Sequence, residues 1–120
     1  MAWADPEAFY AKMPKSVVQC NWYYSNVFGG EALTEGQRGR LEMFKRMGEL
    51  GYDQVPTGSV WSKLDNFEGL TKYCVENICP ESLMGMMQTS WERIDPDWMH
   101  VHDSCVATLK AAKEWYDGRK

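Results

Sequence analysis

Flat aromatic side chains and one carboxylate follow the three segments of the sequence that most favour β-strands. These residues are Trp22, Tyr23, Tyr24, Trp61, Trp91 and Glu92. Indole and phenol rings match the apolar C–H faces of a sugar, while carboxylate and phenol oxygens can bond to its hydroxyls. If the three segments are parallel strands, their carboxyl ends meet at one edge of a sheet. The pattern therefore predicts a carbohydrate subsite at that edge.

The same rings have a structural interpretation, because a single tryptophan serves packing more often than sugar stacking. They could plug the ends of the sheet or anchor an oligomer interface. A glycosidase also needs two carboxylates about 5–10 Å apart. Glu92 is the only carboxylate directly after a strand-end tryptophan, and Asp65 is better suited to capping a helix. No catalytic residue is predicted.

Metal and nucleophilic chemistry have little support in the sequence. His100 and His102 are two residues apart and would lie on different faces of a helix. The four cysteines show no CxxC spacing, and no base is evident beside Cys20. We expect the cysteines to be reduced and mostly buried, Cys20 included, and we predict neither a metal nor a cofactor.

Length and charge restrict the class of protein. A chain of 120 residues is expected to form one domain, residues 1–120. The net charge of −4, with scattered basic residues, argues against nucleic acid or an anionic membrane as partner. The sequence has no apolar run of about 18 residues and no secretory signal pattern, so a cytoplasmic location is expected.

The elements that would position the aromatic residues alternate along the chain. Residues 83–89 form an apolar run typical of a parallel strand covered on both faces. Residues 16–21 are β-branched and favour a second strand. Residues 53–58 are the weakest strand, because Pro56 removes a hydrogen-bond donor.

Helical patterns lie between these strands. They cover residues 5–13, 35–50, 65–79 and 95–118. The predicted fold class is therefore α/β, with three parallel βα units after an N-terminal helix. Three parallel strands alone would leave two open edges and one uncovered flank, so self-association is predicted as well.

Three stretches of the chain together resemble a known enzyme fold. Residues 17–24, 41–52 and 84–92 are similar to the C-terminal part of the (β/α)₈ barrel of family-twenty glycoside hydrolases, the β-N-acetylhexosaminidases and their relatives. The resemblance implies a partial TIM barrel whose late strand ends wall a pocket for an N-acetylhexosamine-type sugar. By position, Trp22, Trp61 and Trp91 would form that wall with Tyr23 or Tyr24, and Glu92 would bind hydroxyls.

The resemblance also implies what is missing. The catalytic Asp-Glu pair of that family lies at an earlier strand, in a segment that this chain does not contain. We therefore expect a sugar-facing fragment that is inactive alone. The alternative is a small non-catalytic interaction module that forms homo-oligomers through its open sheet and aromatic edge.

Overall fold

The computed structural model describes residues 5–60, 65–91 and 96–119. These ranges contain four α-helices, one short 3₁₀-helix and a two-stranded parallel sheet. In chain order the elements are α1 (Pro6–Lys12), α2 (Glu35–Glu49), β1 (Thr57–Ser59), α3 (Asn66–Asn77), β2 (Met87–Thr89), the 3₁₀-helix (Pro96–Trp98) and α4 (Met99–Asp117). None of the described helices is both long and apolar enough to cross a membrane.

The helices form where capping residues and apolar periodicity predict them. Asp5 accepts the Glu7 N–H at 3.0 Å and begins α1. Thr34 and Gln37 bond reciprocally in a capping box that begins α2. Leu41 and Phe44 recur on the buried side of α2, as the sequence predicts. The four helical predictions are thus confirmed, with small shifts at their ends.

The expectation of three full βα units is wrong. Among the described residues, only β1 and β2 form a regular sheet, and each has three residues. In place of the predicted strand 16–21 there is one isolated parallel bridge, Gln19 with Gln54, and a second one just beyond its end, Trp22 with Thr57. The fold is nevertheless mixed α/β, and all of these pairings are parallel, as predicted.

A β-bulge shortens the pairing between the second and third segments. Gln54 bridges Leu83, whereas Thr57 pairs with Met87. Two residues therefore lie between the paired positions 54 and 57 on the second segment, whereas three lie between positions 83 and 87 on the third. Pro56 lies in this interval and has no N–H for the ladder. The extra residue opposite Pro56 is a bulge that breaks the continuous strand expected at 83–89.

One face of this three-segment arrangement packs against the helices. Gln19, Gln54 and Leu83 form a cross-strand row and so share a face. The Gln54 side chain donates to the Phe44 carbonyl of α2 at 2.9 Å. The hydrophobic core cluster lies on this side and consists of Tyr23, Leu41, Phe44, Leu70, Cys74, Ile78 and Leu83.

The opposite face carries a second cross-strand row, Trp22, Thr57 and Met87. The bulge matters here, because the additional residue places Met87 on the same face as Trp22. Trp22 is 54 % exposed and Met87 41 % exposed, while Thr57 between them is buried. We call this surface the open face. Sequence reasoning placed strand 83–89 between two helical layers, which is wrong for this side.

Helix α4 buries less of its apolar stripe than the sequence predicts. Ala112 is buried, but Met99 and Leu109 are exposed. A mostly apolar cavity of about 330 Å³ lies between α3 and α4, lined by residues that include Phe67, Met86 and Leu109. The helix therefore packs mainly against α3 and leaves several of its apolar side chains accessible.

Candidate functional site

Three aromatic rings meet at the carboxyl ends of the parallel segments. Trp22 and Tyr24 stack with ring centroids 6.0 Å apart and an angle of 8° between their planes. Trp91 approaches Trp22 edge-on, with centroids 5.6 Å apart. We call Trp22, Tyr24 and Trp91 the aromatic cluster. The structure thus brings together three of the predicted site residues, from two segments that are distant in sequence.

A chain of hydrogen bonds joins Trp91 and Tyr24 to the sheet. The Trp91 indole N–H donates to the Tyr24 hydroxyl at 2.9 Å. The Thr89 hydroxyl lies 3.2 Å from the Tyr24 hydroxyl and donates to the Gly58 carbonyl. These contacts link Trp91 and Tyr24 to Thr89 of β2 and, through Thr89, to Gly58 of β1.

Trp91 adopts an unusual backbone conformation. Its φ is +58°, the only positive φ among the described residues other than glycine. A bulky side chain in the left-handed region costs about 1–3 kcal/mol, and such residues concentrate at binding and catalytic sites. Trp91 remains 56 % exposed, so the strained residue gains little from burial. The conformation turns the indole toward Trp22 and Tyr24.

Tyr23 does not belong to the aromatic cluster, although together with Tyr24 it lines a polar cavity beside the cluster. It is 1 % exposed, belongs to the core cluster, and its hydroxyl donates to the Val27 carbonyl. Side chains alternate between the faces of an extended segment, so Tyr23 points away from Trp22 and Tyr24. That alternation was readable from the sequence and would have separated the three neighbours. Two further predicted site residues, Trp61 and Glu92, lie outside the described residues.

Asn66 is a buried residue at the start of α3 that positions the site. Its Oδ1 accepts the Ser59 N–H at 2.8 Å, and its Nδ2 donates to the carbonyls of Tyr23 and Ser25. One amide thus joins the end of β1 to the segment that carries Trp22 and Tyr24. A polar residue at a helix start just after a strand is the only sequence signal for this role.

A polar cavity of about 330 Å³ lies beside the aromatic cluster. Tyr24 belongs to both, and the cavity is also lined by Ser25, Thr34, Gln37 and Arg40. Thr34 is the cap of α2, and Gln37 and Arg40 lie in the N-terminal part of that helix. The combination offers ring faces and hydrogen-bonding groups next to each other.

The cysteines differ in exposure, contrary to the expectation that most are buried. Cys74 is buried in the core, and burial raises the pKa of its thiol. Cys20 is exposed because it lies on a segment whose outer side has no cover, so its predicted burial is wrong. Cys79 is also exposed. Among residues 5–60, 65–91 and 96–119, no cluster of three or more His, Cys, Asp or Glu could hold a metal.

No family model, curated protein or solved structure matches the chain. The geometry of the site and the resemblance to family-twenty glycoside hydrolases are therefore the grounds on which a function is inferred.

Proposed function

We propose that the chain binds a carbohydrate on its aromatic cluster, as a fragment of a glycoside-hydrolase-like barrel that does not hydrolyse sugar by itself. The observation that carries the proposal is the exposure of Trp22 and Trp91 within a hydrogen-bonded cluster. More than half of each residue remains accessible although the rings are fixed. Rigid, accessible ring faces suit the C–H faces of a sugar and lose little entropy on binding.

The position of the cluster adds support. In parallel α/β folds, ligands bind outside the carboxyl ends of the strands. Trp22 and Tyr24 follow one segment and Trp91 follows β2, so all three rings lie at that edge. The strained Trp91 backbone is consistent with a residue held in place for binding. The ligand suggested by the family resemblance is an N-acetylhexosamine-type sugar.

Fluorescence titration with an N-acetylglucosamine oligosaccharide tests this proposal. We expect a saturable change in tryptophan emission that Trp91→Ala abolishes. Trp115→Ala is the matched control, because Trp115 is 39 % exposed on α4 and takes no part in the cluster. A chromogenic N-acetylglucosaminide should remain uncleaved. Binding that survives both Trp22→Ala and Trp91→Ala, or no binding to the unmodified protein, would contradict the proposal.

A second candidate function is self-association through the open face. Exposed apolar residues continue along the segments beside the row of Trp22 and Met87, with Val18 at 42 % and Met84 at 57 % exposed. A parallel sheet is normally covered on both faces, so this surface needs a partner. A second copy would supply an identical apolar surface.

Sedimentation velocity tests the second candidate. The unmodified chain should form a dimer that Met87→Lys dissociates, because a charge on the open face would be buried at the interface. Val106→Lys on α4 is the control, since Val106 is also an exposed apolar residue but lies on another element. A monomer at all concentrations would exclude this function.

A further inference from the structure

The polar cavity beside the aromatic cluster has a lining rich in hydrogen-bond donors. Ser25 Oγ already accepts from the Val27 N–H at 3.1 Å and from Gln37 Nε2 at 3.0 Å. Gln37 Oε1 accepts the Thr34 N–H at 2.9 Å, and Thr34 Oγ1 accepts the Gln37 N–H at 3.2 Å. The side-chain acceptors are thus engaged within the protein, which leaves hydroxyl and amide hydrogens for a ligand.

Arg40 gives this lining its charge. It is the only charged residue among those that line the cavity in the described part of the chain. A guanidinium has five N–H donors and no acceptor, and its planar geometry suits a carboxylate. The capping box at the start of α2 already uses the Gln37 N–H, so this amide is not available to a ligand. A ligand group placed here must therefore offer acceptors, and Arg40 favours an anionic one.

Tyr24 connects the two parts of the site. It stacks on Trp22 and also lines the cavity, so a sugar on the cluster would place a substituent near the donors. We propose that the site selects acidic sugars, with the carboxylate of a uronic acid residue bound by Arg40 and by the Ser25 hydroxyl. This inference rests on the proposed sugar binding and names the class of sugar.

The alternative occupant of the cavity is a neutral acetamide, whose carbonyl oxygen is also an acceptor. The two differ in their dependence on Arg40, because a charged hydrogen bond is stronger than a neutral one by a factor of about two in energy. Removal of the guanidinium charge should therefore weaken a uronic acid much more than an N-acetylated sugar.

The test compares oligosaccharides of galacturonic acid and of N-acetylglucosamine, matched in length, by isothermal titration calorimetry. We expect the acidic sugar to bind more tightly to the unmodified protein. Arg40→Gln should weaken its binding about tenfold or more and leave the neutral sugar within about twofold. Arg40→Lys should restore part of the loss. Arg38→Gln removes an exposed arginine of α2 that does not line the cavity, so it should change neither affinity.

The outcomes separate this inference from the proposed function. If Arg40→Gln weakens both sugars equally, or neither, the selection of acidic sugars is refuted while sugar binding on the cluster stands. Tighter binding of the neutral sugar than of the acidic sugar would also refute the selection of acidic sugars and leave sugar binding on the cluster standing. If neither sugar binds, the proposed function fails and the inference fails with it.

Discussion

The left-handed backbone of Trp91 leads to a prediction that reverses the usual order of two substitutions. In Trp91→Gly and Trp91→Ala the indole and its contacts are lost equally, so these contributions cancel. The variants then differ mainly in backbone energy. An L-residue at φ +58° costs about 1–2 kcal/mol that glycine does not incur. Glycine has more conformational entropy to lose on folding, worth about 0.4–1 kcal/mol.

The difference favours glycine by about 1 kcal/mol. We expect Trp91→Gly to unfold at a higher urea concentration than Trp91→Ala, and its melting temperature to be about 4 °C higher. Far-UV circular dichroism in urea at 25 °C measures the free energy of unfolding, provided that the two variants have the same denaturant slope.

Trp22 is the control position. It belongs to the same cluster and has similar exposure, but its φ is not positive. The order should therefore be normal there, with Trp22→Ala more stable than Trp22→Gly by about 0.5–1 kcal/mol. Trp91→Gly being no more stable than Trp91→Ala would refute the strained conformation, and with it one support for a built binding site.

Three further predictions concern residues of the sheet and the core that support the site. A Cβ at Gly58 would lie 2.8 Å from Asn66 Oδ1 and 3.0 Å from the Phe67 ring, so Gly58→Ala should cost about 1–3 kcal/mol in urea unfolding; Gly85→Ala, into open space, should cost little. Asn66→Ala removes the acceptor of the Ser59 N–H and should cost about 3 kcal/mol, whereas Asn26→Ala at an exposed position should be near neutral by the same measurement. Burial raises the pKa of Cys74, so the folded state holds that proton more tightly than the unfolded state, and stability should fall as pH rises above about 8.5. Cys74→Ala should make this fall in the free energy of unfolding with pH shallower by up to about 1.4 kcal/mol per pH unit. Cys20→Ala, at an exposed thiol, should leave the pH dependence unchanged. If the free energy of unfolding falls equally steeply with pH in the two variants, Cys74 is not its source.

The helices could be predicted because their signals are local. Asp5 and Thr34 cap helices through bonds that span two or three residues, and Leu41, Phe44 and Met47 recur within one helix face. Each of these features depends on neighbours in the sequence. No knowledge of the rest of the fold is needed to recognise them.

The pairing of the strands, and with it the geometry of the site, depends on register. Register is not determined by residues that are close to one another in the sequence. Pro56 could be recognised as a weak point, but the bulge opposite it is defined only once Gln54 pairs with Leu83 and Thr57 with Met87. Likewise, the sequence gives no local sign that Trp91 has a positive φ. The aromatic edge was predictable as a collection of residues, whereas its members and their geometry required the tertiary structure.

Sugar binding and self-association both use Trp22, so they must be linked. If a sugar covers the Trp22 ring and a second copy covers the same ring at the open face, each event excludes the other. Linkage then requires that saturating sugar weakens dimerisation by the same factor by which dimerisation weakens sugar binding. Sedimentation velocity with and without an N-acetylglucosamine oligosaccharide measures the first factor, and titration at several protein concentrations measures the second. A dimerisation constant that saturating sugar leaves unchanged would mean that the two surfaces do not share Trp22, and the open face and the aromatic cluster would then be separate sites.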